Sequence, residues 1–413
     1  MSKRKLILFT NTYPYGKKEN NFIKYEIKEL SKLFKEIEII NHKSTSKNSI
    51  LGKKLNEIRT NQSFSRQINI YNITKTFFFK TIFQKIFWKE LYIIKFQGSF
   101  IKKLKMCILE ITYALILFEF LKNSKINYKD TILYSFWSNF TLIAFSMIKE
   151  IYPNAKFVAR SLGSDLNGFI YNKNDDYVPY KKIKFSSLNK LVLLGKYQKN
   201  FLKNSIIKSK NILISPLGVY KQKFVKRKIE KDVIIFLSCG NFIEAKNNIL
   251  MIDFLRRFSK KTTKKIHFII IGEGELKNKI FEQLNKNKKN FIYSYYKHVD
   301  NFVEFIKLKK VNFFLNFSSQ EGMPFTVMET MSVGIPTISS DIKPNKYLVK
   351  NNGYLFNLLN YENSIERTIK KINFDLDNKK LYYNKCLRSY FFIKKFLINK
   401  YCHKKFQNIL KKI

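Results

Sequence analysis

Two glutamates, Glu321 and Glu329, have residue types and a spacing suited to a ligand that carries hydroxyls and negative charge. They lie eight positions apart in NFSSQEGMPFTVMETMSVGIP, where a predicted strand runs into a predicted short helix. A carboxylate can accept hydrogen bonds from both hydroxyls of a ribose, and free N–H groups at a helix start favour an anion. The segment is therefore predicted to bind a nucleotide sugar. The alternative interpretation is a capped surface helix with two solvated glutamates.

The elements that would position these glutamates are short apolar strands that alternate with longer helical patterns. Strands are predicted at Lys5–Thr10, Ile37–Asn41, Thr131–Ser135, Lys156–Ala159, Lys190–Leu194, Ile212–Ser215, Val233–Ser238, Ile266–Ile271, Asn290–Ser294, Asn312–Asn316, Pro336–Ser339 and Gly353–Phe356. Continuous apolar strands separated by helices indicate parallel sheets that are covered on both faces. Two successive sets predict an α/β protein with two doubly wound domains, whose ligands bind beyond the carboxyl ends of the strands.

The domain boundary is predicted in the charged stretch after residue 220. The first domain would cover residues 1–220 and the second residues 221–380, and a basic helical segment, residues 381–413, would pack back on the first domain. A chain of 413 residues that is 45% hydrophobic and 16% aromatic can bury two sizeable cores, which excludes a disordered protein.

The formal net charge of +48 is spread along the whole chain as lysine. One explanation is composition, because the chain is also rich in Asn, Ile, Phe and Tyr, as AT-biased coding produces. The other is a functional basic surface, which would attract anionic lipids, phosphates or nucleic acid. No nucleic-acid module is recognisable, so no nucleic-acid partner is expected.

Other catalytic constellations are not found in the sequence. Neither the four cysteines nor the four histidines have metal-ligand spacing, and the cysteines suit reduced thiols in a cytoplasm. The pair Asp375 and Asp377 lies in polar sequence and is expected in a solvated loop. There is no G-x-S-x-G elbow and no Walker A loop. We therefore expect no metal and no cofactor.

Three segments with apolar residues bear on the location of the protein. The start, MSKRKLILFTNTYP, has too short an apolar run for a signal peptide and is predicted to form a buried strand. Residues 106–121 contain glutamates and are predicted to form a core helix, not a membrane span. Residues 75–106 mix aromatic residues with lysines at helical intervals. They are predicted to lie on an anionic membrane surface, or alternatively to form a core-packed helix pair.

The segment EGMPFTVMETMSVGIP resembles the E-x7-E signature of the family 4 retaining glycosyltransferases, which have the GT-B fold. LFTNTYPYGKKENNFIKYEIKEL is similar to the opening of members that build bacterial surface polysaccharides of the colanic-acid or amylovoran type. YSFWSN, ARSLGSDL, LISPLGV, SCGNFIEAKNN, IIGEGEL and NNGYLF follow in the order found in the family. The resemblance covers nearly the whole chain. It implies two Rossmann-like domains that face a central cleft.

The resemblance also implies roles for individual residues. Glu329 would bind the donor ribose, Glu321 would contact hydroxyls of the donor sugar, and Lys246 would face the diphosphate. The implied catalytic residues are Glu321, Lys246 and Asp165, and the implied donor-binding residues are Glu329, Asn241, Gly16, Gly322, Met323, Pro324, Phe325, Thr326, Arg160 and Gly163.

Simpler interpretations stand beside these roles. If the motif around it is ignored, Lys246 is interpreted as one solvated lysine among many, and Asp165 could cap the next helix. For Gly16 the resemblance implies that the backbone approaches the donor phosphates closely. Gly272 and Gly274 resemble a phosphate loop but lack its full spacing, so a plain strand-to-helix turn is the better interpretation.

Three departures from the family pattern bear on activity. Leu162 stands where the family often has a histidine, and Asn241 stands where it usually has an arginine. A neutral amide at Asn241 would replace a hydrogen bond of about 1.5–3 kcal/mol by one of about 0.5–1.5 kcal/mol. The segment IKPNKYLV, residues 342–349, replaces the usual glycine pair and downstream glutamate.

The function implied by the resemblance is sugar transfer with retention of configuration and without a metal. The donor would be a UDP- or GDP-linked sugar, and the acceptor a glycan or a polyprenyl-diphosphate-linked sugar in bacterial surface polysaccharide or lipooligosaccharide biosynthesis. The protein would be cytoplasmic and peripheral on the inner face of the cytoplasmic membrane. The alternative is a degenerate, non-catalytic GT-B protein that binds a nucleotide sugar or a partner.

Overall fold

The structure is a computed structural model that describes residues 4–43, 58–96, 98–163, 165–166, 177–203, 205–227, 230 and 232–413. The chain divides into two compact units, Met1–Leu217 with Cys402–Ile413, and Gly218–Tyr401. Of the C-terminal segment singled out in the sequence, residues 402–413 therefore belong to the first unit and residues 381–401 to the second.

The first unit is built on a seven-stranded sheet with the order β3-β2-β1-β4-β5-β6-β7. Its strands are β1 Lys5–Thr10, β2 Glu36–Asn41, β3 Ile58–Asn61, β4 Thr131–Ser135, β5 Lys156–Ser161, β6 Lys190–Leu193 and β7 Ile212–Ile214. All pairings between these strands are parallel. Every residue of β4 is buried, as expected for a central strand with helices on both faces.

The helices of the first unit are α1 Lys17–Leu30, α2 Ser63–Gln67, α3 Ile70–Phe79, α4 Lys85–Lys95, α5 Phe100–Lys122, α6 Thr141–Ile151 and α7 Lys181–Lys184. The long helix α5 contains the predicted core helix and buries Cys107, Ile111 and Leu117 against the sheet. Within the described residues, no helix has both the length and the apolar character needed to cross a membrane.

The second unit contains a six-stranded parallel sheet with the order β10-β9-β8-β11-β12-β13. Its strands are β8 Val233–Cys239, β9 Lys265–Ile271, β10 Ile292–Tyr296, β11 Phe313–Asn316, β12 Thr337–Ser340 and β13 Tyr354–Phe356. Its helices are α8 Asn248–Ser259, α9 Lys277–Lys286, α10 Phe302–Leu308, α11 Phe325–Ser332, α12 Lys343–Leu348, α13 Tyr361–Asp377 and α14 Lys379–Phe396. Helix α15, Asn399–Lys412, begins in this unit and continues into the first.

Each strand predicted from the sequence is present, with ends that differ by at most two residues, and the prediction of two doubly wound α/β domains is confirmed. Strand β3, with the sequence IRTN, was not predicted. It has one apolar residue, and as an edge strand it pairs only with β2. An edge strand with little apolar surface leaves almost no periodic signal in the sequence. The aspartates Asp375 and Asp377 lie in α13, not in a solvated loop, and Asp375 is buried against the hydroxyl of Tyr354.

The strand order reverses once in each sheet. In the first sheet β1 lies between β2 and β4, and in the second β8 lies between β9 and β11. The loops that follow the two strands at such a reversal leave in opposite directions and open a crevice at the carboxyl edge of the sheet. The loops after β1 and β4, and those after β8 and β11, are therefore the places in each unit where a ligand is expected.

Arg160 corrects one prediction of the sequence analysis, because it does not lie on a ligand-binding surface. Its side chain is fully buried in the first unit, where Nη2 lies 2.7 Å from Oε2 of the equally buried Glu26. The guanidinium also donates to the hydroxyl of Tyr134 (3.1 Å) and to the carbonyl of Ser215 (2.7 Å). A guanidinium with these partners stabilises the core of the unit and is inaccessible to a donor.

The end of helix α15 packs against the same buried charges. His403 Nδ1 lies 3.7 Å from Glu26 Oε2, and the guanidinium of Arg160 stacks on the ring of Phe406 at 5.4 Å. Burial, with a smaller effect from Arg160, lowers the pKa of His403 well below its usual value, so the imidazole is neutral. The last residues of the chain thus complete the core of the first unit.

We expect Arg160→Ala to lower the free energy of unfolding of the first unit by about 3–5 kcal/mol, because Glu26 would remain buried without its counter-charge. Chemical denaturation followed by circular dichroism measures this change. Lys32→Ala is the control, because Lys32 pairs with Glu29 at the surface and should contribute at most about 1 kcal/mol. Equal effects of the two substitutions would contradict the assignment.

Candidate functional site

Two loops meet where the strand order of the second sheet reverses. After β8 the chain turns through residues 240–247, and after β11 it turns through residues 317–324. Asn247 Nδ2 donates to the carbonyl of Phe317 at 2.9 Å, and the N–H of Ser319 donates to the carbonyl of Ala245 at 2.9 Å. These hydrogen bonds hold the loop that carries Lys246 against the loop that carries Glu321.

Lys246 and Glu321 form an ion pair at this junction. Lys246 Nζ lies 2.5 Å from Glu321 Oε1, and the two side chains are 25% and 12% exposed. Ser318 Oγ (2.7 Å) and Asn316 Nδ2 (3.3 Å) donate to the same oxygen. Three donors thus converge on Oε1, whereas no hydrogen bond from the described residues reaches Oε2. The carboxylate is held by one oxygen, and the other is left as an acceptor for a ligand.

Glu329 lies in α11, close to the end of β8. Helix α11 begins at Phe325, and Pro324 before it has the extended conformation. Burial and the Glu329 carboxylate raise the pKa of the Cys239 thiol to about 12, and the Lys246 ammonium opposes the rise. Because both charges act on the pKa of this thiol, Glu329 and Lys246 lie near the same residue. The structure therefore brings Glu321, Glu329 and Lys246 together at one edge of the sheet.

The remaining predicted donor contacts of this unit lie in the same two loops and in the first turn of α11. Met323 and Pro324 are buried, Gly322, Phe325 and Thr326 are half-buried, and Asn241 is exposed in the turn after β8. Their position beside Glu321 is compatible with donor binding, which stays a prediction for each of them.

Gly272 and Gly274 form a strand-to-helix turn between β9 and α9, as predicted. Gly272 has φ +150°, and a Cβ added there would lie 1.9 Å from the carbonyl oxygen of Gly240. A Cβ on Gly274 would lie 2.5 Å from the carbonyl oxygen of Phe242. The two glycines therefore allow the turn after β9 to pack against the turn after β8, which positions the loop of Lys246.

Asp165, Gly163 and Gly16 belong to the first unit. Asp165 Oδ1 accepts from the N–H groups of Leu162 (3.0 Å) and Gly163 (2.9 Å), and its Oδ2 accepts from the N–H of Ser138 (2.8 Å). The carboxylate thereby ties the loop after β5 to the loop after β4. Gly163 has φ +129°, which favours glycine, whereas Gly16 has φ −116°, which any residue adopts.

Glu19 joins the two loops at the strand reversal of the first sheet, a function that the sequence analysis did not predict. Its carboxylate lies in the first turn of α1 and is buried. It accepts from the N–H groups of Asn11 (3.0 Å) and Tyr13 (2.7 Å) and from the indole of Trp137. The loop after β1 is thus joined to the loop after β4. A glutamate near the start of a helix after a strand is the only sequence signal for this function.

A cavity of about 550 Å³ opens at the carboxyl edge of the first sheet. One part of its wall is polar and the other is apolar, and the lining residues are Asn11, His42, Lys43, Glu110, Trp137, Asn139 and Asp165 on the polar side, and Ile68, Met106, Leu109, Tyr113 and Phe140 on the apolar side. Pockets of this size with a few convergent polar groups are typical of sites for small molecules.

His42 and two asparagines form a hydrogen-bonded group in the polar wall of this cavity. Asn139 Nδ2 donates to Asn11 Oδ1 at 3.0 Å, and His42 Nδ1 lies 3.2 Å from the same oxygen. Burial and the nearby Lys43 lower the pKa of His42 to about 3, so the ring is neutral at physiological pH. This part of the wall therefore offers neutral hydrogen-bonding groups, which suit ligand hydroxyls. Polar residues directly after strands were the signal that could have predicted these positions.

The helices α3 and α4 and the start of α5 expose many large apolar side chains beside lysines. We call this the aromatic–lysine surface, and it consists of Ile70, Tyr71, Phe78, Phe79, Phe83, Trp88, Tyr92, Ile93, Phe96, Phe100, Ile101 and Leu109 with the exposed lysines Lys75, Lys80, Lys85, Lys89, Lys95, Lys102 and Lys105. Helix α3 buries none of its residues. The alternative interpretation, a core-packed helix pair, holds for α4, which buries Phe87 and Ile94 in the core, whereas α3 reaches the core with the partly buried Ile73.

In the described part of the chain, no group of three or more His, Cys, Asp or Glu side chains has the arrangement needed to bind a metal ion.

Comparisons with known proteins agree with the fold. Residues 219–386 match the family model described as glycosyl transferases group 1. An uncharacterized glycosyltransferase of Methanocaldococcus jannaschii is 38% identical over 118 residues, which cover 28% of this chain and 28% of that protein. The UDP-Gal:α-D-GlcNAc-diphosphoundecaprenol α-1,3-galactosyltransferase of Escherichia coli is 26% identical over 187 residues, which cover 41% of this chain and 47% of that protein.

A similar solved structure is that of Anabaena HepE in complex with UDP and glucose. It superimposes with a TM-score of 0.64 at 10% identity and covers 99% of this chain and 100% of HepE. The chain thus aligns with less than half the length of the two curated relatives, whereas the fold similarity covers nearly all of it. The chain has the two-domain fold of the GT-B glycosyltransferases, and its residues 219–386, which lie in the second unit, match the glycosyl transferases group 1 family model.

Proposed function

We propose that the protein is a glycosyltransferase that moves a sugar from a nucleoside-diphosphate sugar to an acceptor in bacterial surface polysaccharide or lipooligosaccharide biosynthesis. The observation that carries this proposal is the Lys246–Glu321 ion pair beside Glu329, at the strand reversal of the second sheet. The match of residues 219–386 to a glycosyltransferase family supports it, because the match contains all three residues.

In the proposed donor complex the three side chains contact different parts of the nucleotide sugar. Glu329 accepts hydrogen bonds from the ribose hydroxyls, and Oε2 of Glu321 accepts from a hydroxyl of the sugar. Lys246 lies close enough to Glu321 to bridge the sugar and the diphosphate. Its ammonium offsets the charge that develops on the diphosphate as the leaving group departs.

The proposed reaction retains the configuration of the sugar and needs no metal. The bond between the anomeric carbon and the phosphate oxygen breaks, and an acceptor hydroxyl forms the new bond on the same face. The hydroxyl proton passes to the departing phosphate. The side chains of the site position the substrates and stabilise charge, and none has to act as a covalent nucleophile.

We propose a UDP-sugar as the donor and keep GDP as the second candidate. The Escherichia coli relative is named for a UDP-galactose donor, and HepE was solved with UDP. Family resemblance alone would allow either nucleotide.

We propose that the cavity in the first unit receives the acceptor. Its polar wall combines the amides of Asn11 and Asn139 and the neutral His42 with the charged Lys43, Glu110 and Asp165, all of which can form hydrogen bonds with sugar hydroxyls. Its apolar wall includes Leu109, which is also 44% exposed on the aromatic–lysine surface. An acceptor with a sugar at one end and a lipid at the other matches this arrangement, and the Escherichia coli relative is named for a sugar on diphosphoundecaprenol.

We further propose that the aromatic–lysine surface docks on the anionic inner face of the cytoplasmic membrane. Exposed rings can enter the interface between headgroups and acyl chains, and each lysine near an anionic surface adds about 1 kcal/mol of attraction. Lys75 lies over the ring of Tyr71 at 5.9 Å and Lys95 over the ring of Phe96 at 5.4 Å, so charge and apolar surface coincide.

The nucleotide site is tested by calorimetric titration with UDP and GDP. We expect UDP to bind and Glu329→Gln to weaken its binding about 10- to 100-fold, because the ribose would lose charge-assisted hydrogen bonds of about 1.5–3 kcal/mol. Glu304→Gln is the control, because Glu304 is an exposed glutamate of α10 in the same unit. If neither nucleotide binds, the non-catalytic alternative replaces the proposal.

Membrane docking is tested by co-sedimentation with vesicles of phosphatidylcholine and phosphatidylglycerol. We expect binding that rises with the anionic lipid and falls with salt. Replacing Phe79, Phe83 and Phe96 together by serine should weaken it at least about tenfold, because these rings are 72%, 73% and 77% exposed and would lose their burial in the bilayer.

The matched control for this experiment replaces three exposed apolar residues of the second unit by serine. Ile292, Leu308 and Leu359 are 63%, 80% and 100% exposed and lie outside the aromatic–lysine surface. An equal loss in both triple variants, or no binding of the unaltered protein to anionic vesicles, would reject the docking surface.

A further inference from the structure

We propose that Asn345 is a positioning residue that fixes the orientation of Glu321 towards the donor sugar. It lies in α12, within the segment IKPNKYLV that departs from the family pattern. The inference rests on the proposed function, because it assigns Oε2 of Glu321 to the sugar. It goes further by naming what holds that oxygen in place.

Asn345 connects three acceptors in the interior of the second unit. Its side chain is fully buried. Nδ2 lies 3.2 Å from Oδ1 of Asn316, and 3.1 Å from both the carbonyl oxygen and Oγ of Ser340. A donor is required at this position, because an oxygen in place of Nδ2 would face two acceptors that have no proton to give.

The first route from Asn345 to Glu321 passes through Asn316. Because Asn316 Oδ1 accepts from Asn345, the Nδ2 group of the same amide points the other way, 3.3 Å from Glu321 Oε1. A flipped Asn316 would place its oxygen against the carboxylate and its nitrogen against the Nδ2 group of Asn345. Both contacts would be repulsive, so Asn345 fixes the orientation of the Asn316 amide.

The second route passes through two serines. Ser340, which contacts Asn345, donates from Oγ to the carbonyl of Ser318 at 2.5 Å. Ser318 in turn donates from its own Oγ to Glu321 Oε1 at 2.7 Å. Both neutral donors on Oε1 therefore depend on contacts with α12 or with the end of β12. With Oε1 held in this way, the plane of the carboxylate is set and Oε2 faces the ligand.

One atom of Asn345 has no partner among the described residues. Its Oδ1 is buried, and none of these residues donates to it. An apolar side chain would remove this unsatisfied acceptor, but it would also remove the donor that Nδ2 offers to Oδ1 of Asn316 and to the carbonyl oxygen of Ser340. The Nδ2 group, which orients Asn316, is therefore the part of the side chain that this position requires.

The experiment compares the affinity for UDP with the affinity for UDP-sugars. Calorimetric titrations with UDP, UDP-glucose, UDP-galactose and UDP-N-acetylglucosamine give the gain in affinity that the sugar adds in the unaltered protein. Asn345→Ala should reduce this gain about tenfold while leaving the affinity for UDP within about twofold, because a misplaced contact group affects only the part of the ligand it touches. Glu321→Gln should lose the gain as well.

The matched control is Asn287→Ala. Asn287 is also a buried asparagine of the second unit, whose Nδ2 donates to the carbonyl of Gln283 at 2.8 Å at the end of α9, and none of its described hydrogen bonds reaches α12 or Glu321. We expect this variant to keep the full gain from the sugar, although it loses stability as Asn345→Ala does. If Asn345→Ala keeps the gain and Glu321→Gln loses it, the positioning inference is wrong and the proposed function stands.

Other outcomes separate the two hypotheses further. If neither UDP nor GDP binds the unaltered protein, the proposed function and this inference both fail, and if only GDP binds, the same comparison is made with GDP and GDP-sugars. If UDP binds but no sugar adds affinity, the assignment of Glu321 to the sugar fails, and the positioning inference fails with it. Should Asn345→Ala not fold, Asn316→Ala removes the next link, and an unchanged gain in that variant would overturn the inference.

The double variant Asn316→Ala with Asn345→Ala tests whether the two residues act in series. If Asn345 acts through Asn316, the second substitution should reduce the gain from the sugar by less than about twofold further, because residues in one network are not additive. Independent, additive losses would show that Asn345 does not act on Glu321 through Asn316, which would overturn the route proposed here.

Discussion

The reversal of strand order between β8 and β11 is the constraint on which the second unit's site depends. It sends two loops apart at the carboxyl edge of a parallel sheet and leaves room for a ligand between them. The ion pair of Lys246 with Glu321 joins those loops across the gap. Around this pair the turn after β9 packs through Gly272, and α12 contributes Asn345, so several elements far apart in sequence support one carboxylate.

The first unit meets the same topological constraint with different residues. Its strand order reverses at β1 and β4, and Glu19 joins the two loops through backbone and indole donors instead of an ion pair. The buried ion pair of Arg160 with Glu26 lies in a different place, under the end of α15. Arg160 is therefore held in the core of the unit, although Asp165 of the same motif lines the cavity.

Surface charge and exposed apolar area coincide along α3, α4 and the start of α5. A high net charge spread over the chain indicates attraction to anions but selects no surface. Exposed aromatic rings that lie among lysines do select a surface, because a bilayer interface can bind apolar and cationic groups together. The cavity of the first unit shares Leu109 with this surface, so the proposed docking and the proposed acceptor site concern neighbouring parts of one unit.

The sequence alone determined the strands, the parallel α/β architecture, the loops that carry Lys246 and Glu321 and the helix that carries Glu329, because apolar runs and residues at strand ends are local patterns. It missed β3, whose four residues carry almost no apolar signal, and it misplaced Arg160, whose motif also contains the cavity-lining Asp165. Only the tertiary structure decided which neighbours these residues have. The burial of Arg160 needs Glu26 and α15, and the link from Asn345 to Glu321 needs three segments brought together. Contacts across such sequence distances are set by packing, which no local pattern encodes.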